Sequence, residues 1–164
     1  MIVVVMGPCG CGKTTVGGAV ATRIRGHFIE GDEFHPPENK AKMEAGTPLN
    51  DDDRAPWLDA IAKEARARSS AETPIVIACS ALKRIYRDRL RKAGGGVTFV
   101  LLTGTDQLLR TRMEAREDHF MPPSLLDSQL EALEPPGEDE NAIIIDITPG
   151  PEALADGIVK KLGL

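Results

Sequence analysis

At 164 residues the chain is long enough to bury one substantial core and too short for a second independent one. Its 41% hydrophobic and 27% charged content is that of an ordinary globular domain, and no apolar run approaches the ~18 residues of a membrane-spanning helix, so we read one domain, 1–164, with no membrane partner. A net charge of −5 argues against a nucleic-acid binder, and it requires any anionic ligand to be met by locally gathered Lys, Arg and backbone dipoles. Met1 leads directly into an apolar run with no basic leader, so a cytoplasmic location is expected.

That first run, Ile2 to Met6, suits a buried parallel strand. Gly7-Pro8-Cys9-Gly10-Cys11-Gly12-Lys13-Thr14-Thr15 follows and fits the phosphate-cradling pattern G-x-x-x-x-G-K-[ST] at every fixed position; Val16 to Ile24 then reads as a helix. In that setting, loop N–H groups and the positive end of the helix dipole surround a polyphosphate. Lys13 reaches the β- and γ-phosphates, Thr14 supplies a hydroxyl to Mg²⁺, and the glycines let the backbone approach closely. The three cysteines number too few for a zinc site, with no second Cys or His cluster. Cys79 reads as a small core residue, whereas Cys9 and Cys11, near a helix N-terminus, are expected to have lowered thiol pKa values and to be open to oxidation or alkylation.

His27 to Glu30 reads as a short strand ending in Glu30-Gly31-Asp32, which sets two carboxylates at the ligand-gathering edge of a parallel sheet. A short helix is bracketed by Pro36-Pro37 and by Gly46 with Pro48. Asn50-Asp51-Asp52-Asp53 suits a helix cap, and Trp57, Leu58, Ile61, Ala62 and Ala65 fall on one apolar face behind it. Arg54 in the opening turn opposes the helix dipole and so calls for an anionic partner.

Pro74 to Ser80 is a second buried strand, with Ser80 expected to cap a basic helix over 82–92. Of its cations, Lys83 and Arg87 stand nearest the ligand edge and are assigned to anion binding. A strand over 97–102 and a helix over 105–116 follow, with Arg112 and Arg116 expected on one side of that helix. Glu117 to Pro123 reads as a polar turn of the kind a lid uses. A helix over 124–134, a strand over 142–147 and a closing helix carrying Leu154, Ile158 and Leu162 complete an α/β domain with a parallel sheet of about five strands covered on both faces.

The run Gly31-Asp32-Glu33-Phe34-His35-Pro36, continuing through Asn39, Lys42-Met43, Gly46, Pro48 to Arg54 and Pro56-Trp57-Leu58, resembles the signature of gluconate kinases. Arg116 to Pro122, with Ser124-Leu125-Leu126 and Ser128-Gln129, resembles that family's lid, and Cys79 to Lys83 with Tyr86-Arg87 resembles its third-strand motif. The resemblance covers nearly the whole chain. It implies an adenylate-kinase-like P-loop fold with sheet order 2-3-1-4-5, an acceptor-binding segment at about 32–58 and a lid at about 116–124. It also implies ATP and Mg²⁺ as co-substrates, phosphorylation of D-gluconate at its 6-hydroxyl, and frequent homodimers. Cys9 and Cys11 stand where serine is more usual in the family, and Glu30 where some members have Asp.

On this reading residues 7–15, Arg112 and Arg116 hold ATP. Thr14 binds Mg²⁺ directly, and Glu30 and Asp32 act on it through water. Lys13, Asp32 and Arg116 carry catalysis, which in phosphoryl transfer is mainly alignment and positive charge. Asp32, His35, Arg54, Lys83 and Arg87 contact gluconate, with Arg54 and Lys83 the first candidates for its carboxylate. Shikimate-like and nucleoside-monophosphate kinases share the fold and the phosphate loop, and only the segment over 31–58 separates them. A GTP switch is disfavoured because Asn39-Lys40-Ala41-Lys42 fails N-K-x-D and D-x-x-G is absent; a noncatalytic nucleotide-binding module is disfavoured by the joint presence of Lys13, Thr14, Asp32 and Arg116.

Overall fold

The computed structural model describes residues 1–69, 73–116 and 123–164. Five parallel strands form the sheet: β1 (Ile2–Met6), β2 (His27–Glu30), β3 (Ile75–Ala78), β4 (Val97–Thr103) and β5 (Ala142–Asp146). Their spatial order is β2-β3-β1-β4-β5, the order expected above. The central strand β1 pairs in register with β3 on one side (Val4 with Ile77) and β4 on the other (Val4 with Phe99), which explains its unbroken apolar sequence: both faces are covered.

Alternation along the strands divides the core in two. Ile2, Val4 and Met6 face a layer containing α3 (Asp51–Arg68) and α4 (Arg84–Arg91), with Trp57, Leu58, Ile61 and Leu90 buried there. Val3 and Val5 face α1 (Lys13–Arg23), α5 (Asp106–Glu114), α6 (Pro123–Ala132) and α7 (Pro151–Lys161), through Val16, Val20, Leu109, Leu126, Leu154 and Ile158. A short helix α2 (Pro37–Glu44) lies between β2 and α3. Because all strands are parallel, the turns after β1, β2 and β3 open on one edge, where the functional residues gather.

Local boundaries depart from the sequence reading in informative ways. Helix α1 begins at Lys13, so the end of the phosphate loop is also the helix's first turn. Ser80 does not cap α4: Lys83 occupies the cap position without a capping side chain, and the Arg84 amide instead donates to Glu134 Oε2 at 2.8 Å. Helix α5 ends at Glu114, so Arg116 lies beyond it rather than on one helical side with Arg112. Residues 117–122, the centre of the expected lid, are outside the described residues.

Arg87 and Glu140, both fully enclosed, tie α4 to the segment before β5. Arg87 Nε and Nη2 donate to the two Glu140 oxygens at 2.7 and 2.8 Å, and Nη1 donates to the carbonyls of Ala81, Leu82 and Glu134. The Arg87 guanidinium holds the Glu140 carboxyl down to about 2, against 4.5 ordinarily. The native state therefore binds that proton less readily than the unfolded chain, and the resulting stability is complete above about pH 4.5 and drains away as pH falls toward 2. Glu140→Gln leaves a buried guanidinium without its counter-charge and should lower unfolding free energy by about 3 kcal/mol in urea titrations at pH 7. A loss below about 0.5 kcal/mol, the level of an exposed pair, would contradict this reading.

Candidate active site

The phosphate loop is held in shape by close approaches that only glycine permits. Gly7 has φ 142°, and a Cβ there would stand 2.7 Å from the Leu102 carbonyl oxygen and 2.9 Å from Cys11 Sγ. Its amide donates to the Ser80 carbonyl, which continues the β1–β3 pairing past the strand ends. Within the loop Lys13 Nζ donates to the Pro8 carbonyl at 3.0 Å, and Thr14 Oγ1 donates to Glu30 Oε2 at 2.6 Å. Thr15 is exposed beside it. Arg112 borders the loop: it donates to the Ile147 carbonyl at 2.8 Å, and its Nη1 is 4.0 Å from where a Cβ on Gly12 would be. Arg116, exposed, lies within electrostatic reach of Cys9 and Cys11.

Asp32 follows β2 in a 3₁₀ turn, Gly31–Phe34, whose opening is capped by Glu30 accepting the Asp32 amide. Beneath it the segment over 31–57 forms a connected scaffold. Trp57 Nε1 donates to the Gly31 carbonyl at 2.7 Å, and His35 stacks on the indole with ring centroids 3.9 Å apart. Asn39 Nδ2 donates to the Asp53 carbonyl and lies 3.3 Å from His35 Nδ1, which fixes that nitrogen as an acceptor and sets the His35 proton on Nε2, 3.9 Å from Asp32 Oδ1. Asp53 exchanges a capping box with Asn50 and accepts both oxygens' worth of hydrogen bonds from Lys42, at 2.8 and 2.9 Å. Asp32 itself is solvent-exposed and within electrostatic reach of Lys13.

A cavity of about 270 Å³ opens between the N-termini of α3 and α4 and the face of α6. Its polar wall includes Asn50, Asp51, Arg54, Lys83, Tyr86 and Gln129, against apolar Leu49 and Leu125. Arg54 is 8% exposed, a costly position for a cation, and its one protein hydrogen bond among the described residues is Nε to the Leu49 carbonyl at 3.4 Å. Its guanidinium lies 5.4 Å from the Tyr86 ring centroid and 6.0 Å from that of Trp57, so aromatic faces offset part of the cost and both terminal nitrogens stay available. Lys83 is already paired, 2.9 Å from Asp51 Oδ1. The Asp51 carboxyl is held below its usual range by the Tyr86 hydroxyl and Lys83.

Two residues expected at the acceptor, Arg87 and His35, do not line this cavity. Arg87 is fully buried with its donors committed to Glu140 and three carbonyls, because an arginine one turn into α4 points back into the protein. His35 does not line the cavity; it is packed under Asp32, and burial pushes its imidazole down to about 4 despite the Asp32 carboxylate nearby. The thiol expectation is also corrected. Burial raises the pKa of both Cys9 and Cys11, outweighing Lys13 and the loop amides, so neither is a ready thiolate at neutral pH. The sequence reading had Gln129 only in the lid resemblance and Asp51 only in a helix cap; in the structure Gln129 Oε1 accepts the Cys9 amide at 2.7 Å, and Asp51 is the partner of Lys83 and Tyr86.

A phosphate loop between β1 and α1 of a sheet in this order, with a polar cavity alongside, defines a P-loop kinase fold. A family model described as an AAA domain matches residues 2–136. The chain is 45% identical over 157 residues to a gluconokinase of Gluconobacter oxydans, covering 96% of this chain and 88% of that one, and 42% identical over 147 residues to the thermoresistant gluconokinase of Escherichia coli, covering 89% and 84%. Among solved structures, a sugar kinase from Janibacter sp. aligns with TM-score 0.92 at 47% identity, and a gluconokinase from Sinorhizobium meliloti with TM-score 0.83 at 44%, each over 94% of that chain and over 99% and 98% of this one. The Mycobacterium tuberculosis APS kinase, at 15% identity and TM-score 0.69, shares the fold. The chain belongs to the gluconokinase family.

The buried His35 yields a pH test. Its folded pKa lies below the 6.5 of the unfolded chain, so the stability it confers is present above about pH 6.5 and is lost as pH falls toward 4. His35→Phe keeps an aromatic plate on Trp57 but cannot titrate, and should flatten the stability profile across that window. Equal slopes for both proteins in denaturant titrations from pH 6.5 to 4.5 would contradict a buried neutral imidazole.

Proposed function

We propose that this chain transfers the terminal phosphoryl group of ATP to the 6-hydroxyl of D-gluconate, giving 6-phospho-D-gluconate and ADP. The observation that carries the reading is the cavity holding Arg54, a nearly buried guanidinium whose terminal nitrogens have no hydrogen-bond partner among the described residues, on the same sheet edge as the phosphate loop. Such a group suits a carboxylate, and Asp51, Tyr86 and Asn50 around it suit the hydroxyls of a linear polyol. The kinship with gluconokinases supports the same substrate.

In this reading Lys13 leaves the Pro8 carbonyl to meet the β- and γ-phosphates, and the loop amides of residues 10–15 take the remaining oxygens. The Thr14 hydroxyl donates to Glu30 and so keeps its lone pairs for a cation. No group of three or more His, Cys, Asp or Glu suited to a metal occurs among the described residues. That fits Mg²⁺, which is held by one or two protein oxygens, phosphates and water, and which when bound neutralises phosphate charge. Glu30 and Asp32 would act on it through water. Arg112 and Arg116 flank the phosphates and add positive charge as the transition state develops. Asp32 aligns the acceptor hydroxyl and receives its proton, its position set by the Trp57 and His35 scaffold. Arg54 takes the acceptor carboxylate; Lys83, already countered by Asp51, contributes less. The proposal includes a cytoplasmic location and, from the family resemblance, a homodimer and a lid around 116–124. No described helix is long and apolar enough to cross a membrane.

The test is a coupled ADP-release assay over gluconate, shikimate and nucleoside monophosphates, with the product identified by phosphorus NMR. Gluconate should be the preferred acceptor; preference for shikimate or a nucleotide would replace this reading with the corresponding kinase. Asp32→Asn should lower turnover by about 10² with MgATP affinity little changed. Arg54→Ala should raise the KM for gluconate by about 10² and Lys83→Ala by less, since losing the partner of a desolvated carboxylate costs ~2 to 5 kcal/mol and losing a rim charge much less. The reverse ranking would move the carboxylate to Lys83.

A further inference from the structure

Gln129 stands at the junction of the two halves of the site. It projects from the middle of α6, and its Oε1 accepts the amide of Cys9, the third residue of the phosphate loop, at 2.7 Å. The same side chain lines the cavity shared with Arg54, Lys83 and Tyr86. Among the described residues it is the cavity-lining side chain that also hydrogen-bonds the phosphate loop. A backbone amide can only donate, so the acceptor end of the Gln129 carboxamide faces the loop. With Oε1 committed to the Cys9 amide, Nε2 carries two N–H donors, for which no protein acceptor occurs among the described residues. A helix-borne side chain with one end pinned is a preorganised donor, the kind of group that reads a hydroxyl rather than merely tolerating one.

We propose that Gln129 contacts the acceptor and determines its specificity: Nε2 donates to the oxygen of the hydroxyl next to the one that is phosphorylated, at the end of the polyol nearest the phosphate loop. Arg54 fixes the carboxylate end, and Gln129 fixes the reactive end. Because its other end is bonded to Cys9, Gln129 sets the acceptor in register with the loop that holds the donor phosphates, which is the alignment in-line transfer requires. This rests on the gluconokinase reading above and adds to it a residue that distinguishes a polyol from an acceptor lacking that hydroxyl.

The experiment compares wild type, Gln129→Met and Gln129→Glu with gluconate and with 5-deoxygluconate as acceptors, alongside MgATP binding by calorimetry and thermal melting. Gln129→Met keeps the length without hydrogen bonds; Gln129→Glu keeps an oxygen for the Cys9 amide but offers the acceptor no donor. Wild type should favour gluconate over the deoxy acid by about tenfold or more in kcat/KM, and both variants should lose most of that preference because kcat/KM falls roughly tenfold further with gluconate than with the deoxy acid. Gln129→Glu should retain near-normal MgATP affinity and melting temperature. If both variants keep the wild-type preference, the proposal is wrong; if they alter only MgATP affinity, Gln129 is a loop cap and the proposal is equally overturned. Should one variant fail to fold, the other decides. Wild type inactive on gluconate would overturn the underlying reading, an outcome distinct from an active wild type with unchanged variants.

Discussion

The hydrogen bond from Trp57 to the Gly31 carbonyl is the interaction on which the proposed acceptor side of the site hangs. Gly31 packs so tightly on β3 that a Cβ would stand 2.4 Å from the Ala78 carbonyl oxygen, which leaves the turn little freedom. Trp57, 1% exposed, is wedged in the core beside Leu58 and Ile61 and delivers its N–H at 2.7 Å. On the indole lies His35, and 6.0 Å from its centre the guanidinium of Arg54, one turn earlier on α3. One buried side chain thus sets Asp32, proposed to align the reacting hydroxyl, and Arg54, proposed to take the carboxylate at the substrate's far end. Their separation is fixed by packing, not by a flexible loop, which suits a reaction limited by alignment.

The charges around the cavity are divided rather than pooled. Asp51 neutralises Lys83, and Asp53 neutralises Lys42, so the first turn of α3 spends its acidic residues on neighbouring elements as well as on its own dipole. Among the described residues Arg54 is left with aromatic faces and one carbonyl. Arg87, which in sequence looks interchangeable with Lys83, is consumed by Glu140 and by the carbonyls of Ala81 and Leu82, and so braces the turn that presents Lys83. In a chain of net charge −5, Lys13 at the phosphate loop and Arg54 at the cavity take part in none of the ion pairs among the described residues.

Much of this was legible in the sequence because the signals were local. The phosphate loop is contiguous, the apolar strands are continuous, and the alternation of strands and helices yields a parallel sheet; the sheet order came from the family resemblance. The run from Gly31 to Trp57 marked the acceptor side, although most of its polar residues turn out to hold one another: Asn39 with His35 and Asp53, Lys42 with Asp53, Asn50 with the cap of α3. What could not be read was the partner of each charge. Arg87 and Glu140 are 53 residues apart, and Cys9 and Gln129 are 120 apart. The thiol expectation failed for a related reason: helix-terminal position is local and visible, whereas burial, which outweighs it, is a property of the fold.

The most direct test is Trp57→Phe, which keeps an aromatic plate for His35 and Arg54 but removes the N–H that fixes Gly31. Active-site-normalised kinetics with MgATP and gluconate should show turnover lowered by about tenfold or more, through misplacement of Asp32, while MgATP affinity stays near normal because the phosphate loop is untouched. Unchanged turnover per folded molecule would mean that Asp32 is positioned by something other than Trp57, and the account would fail at its centre.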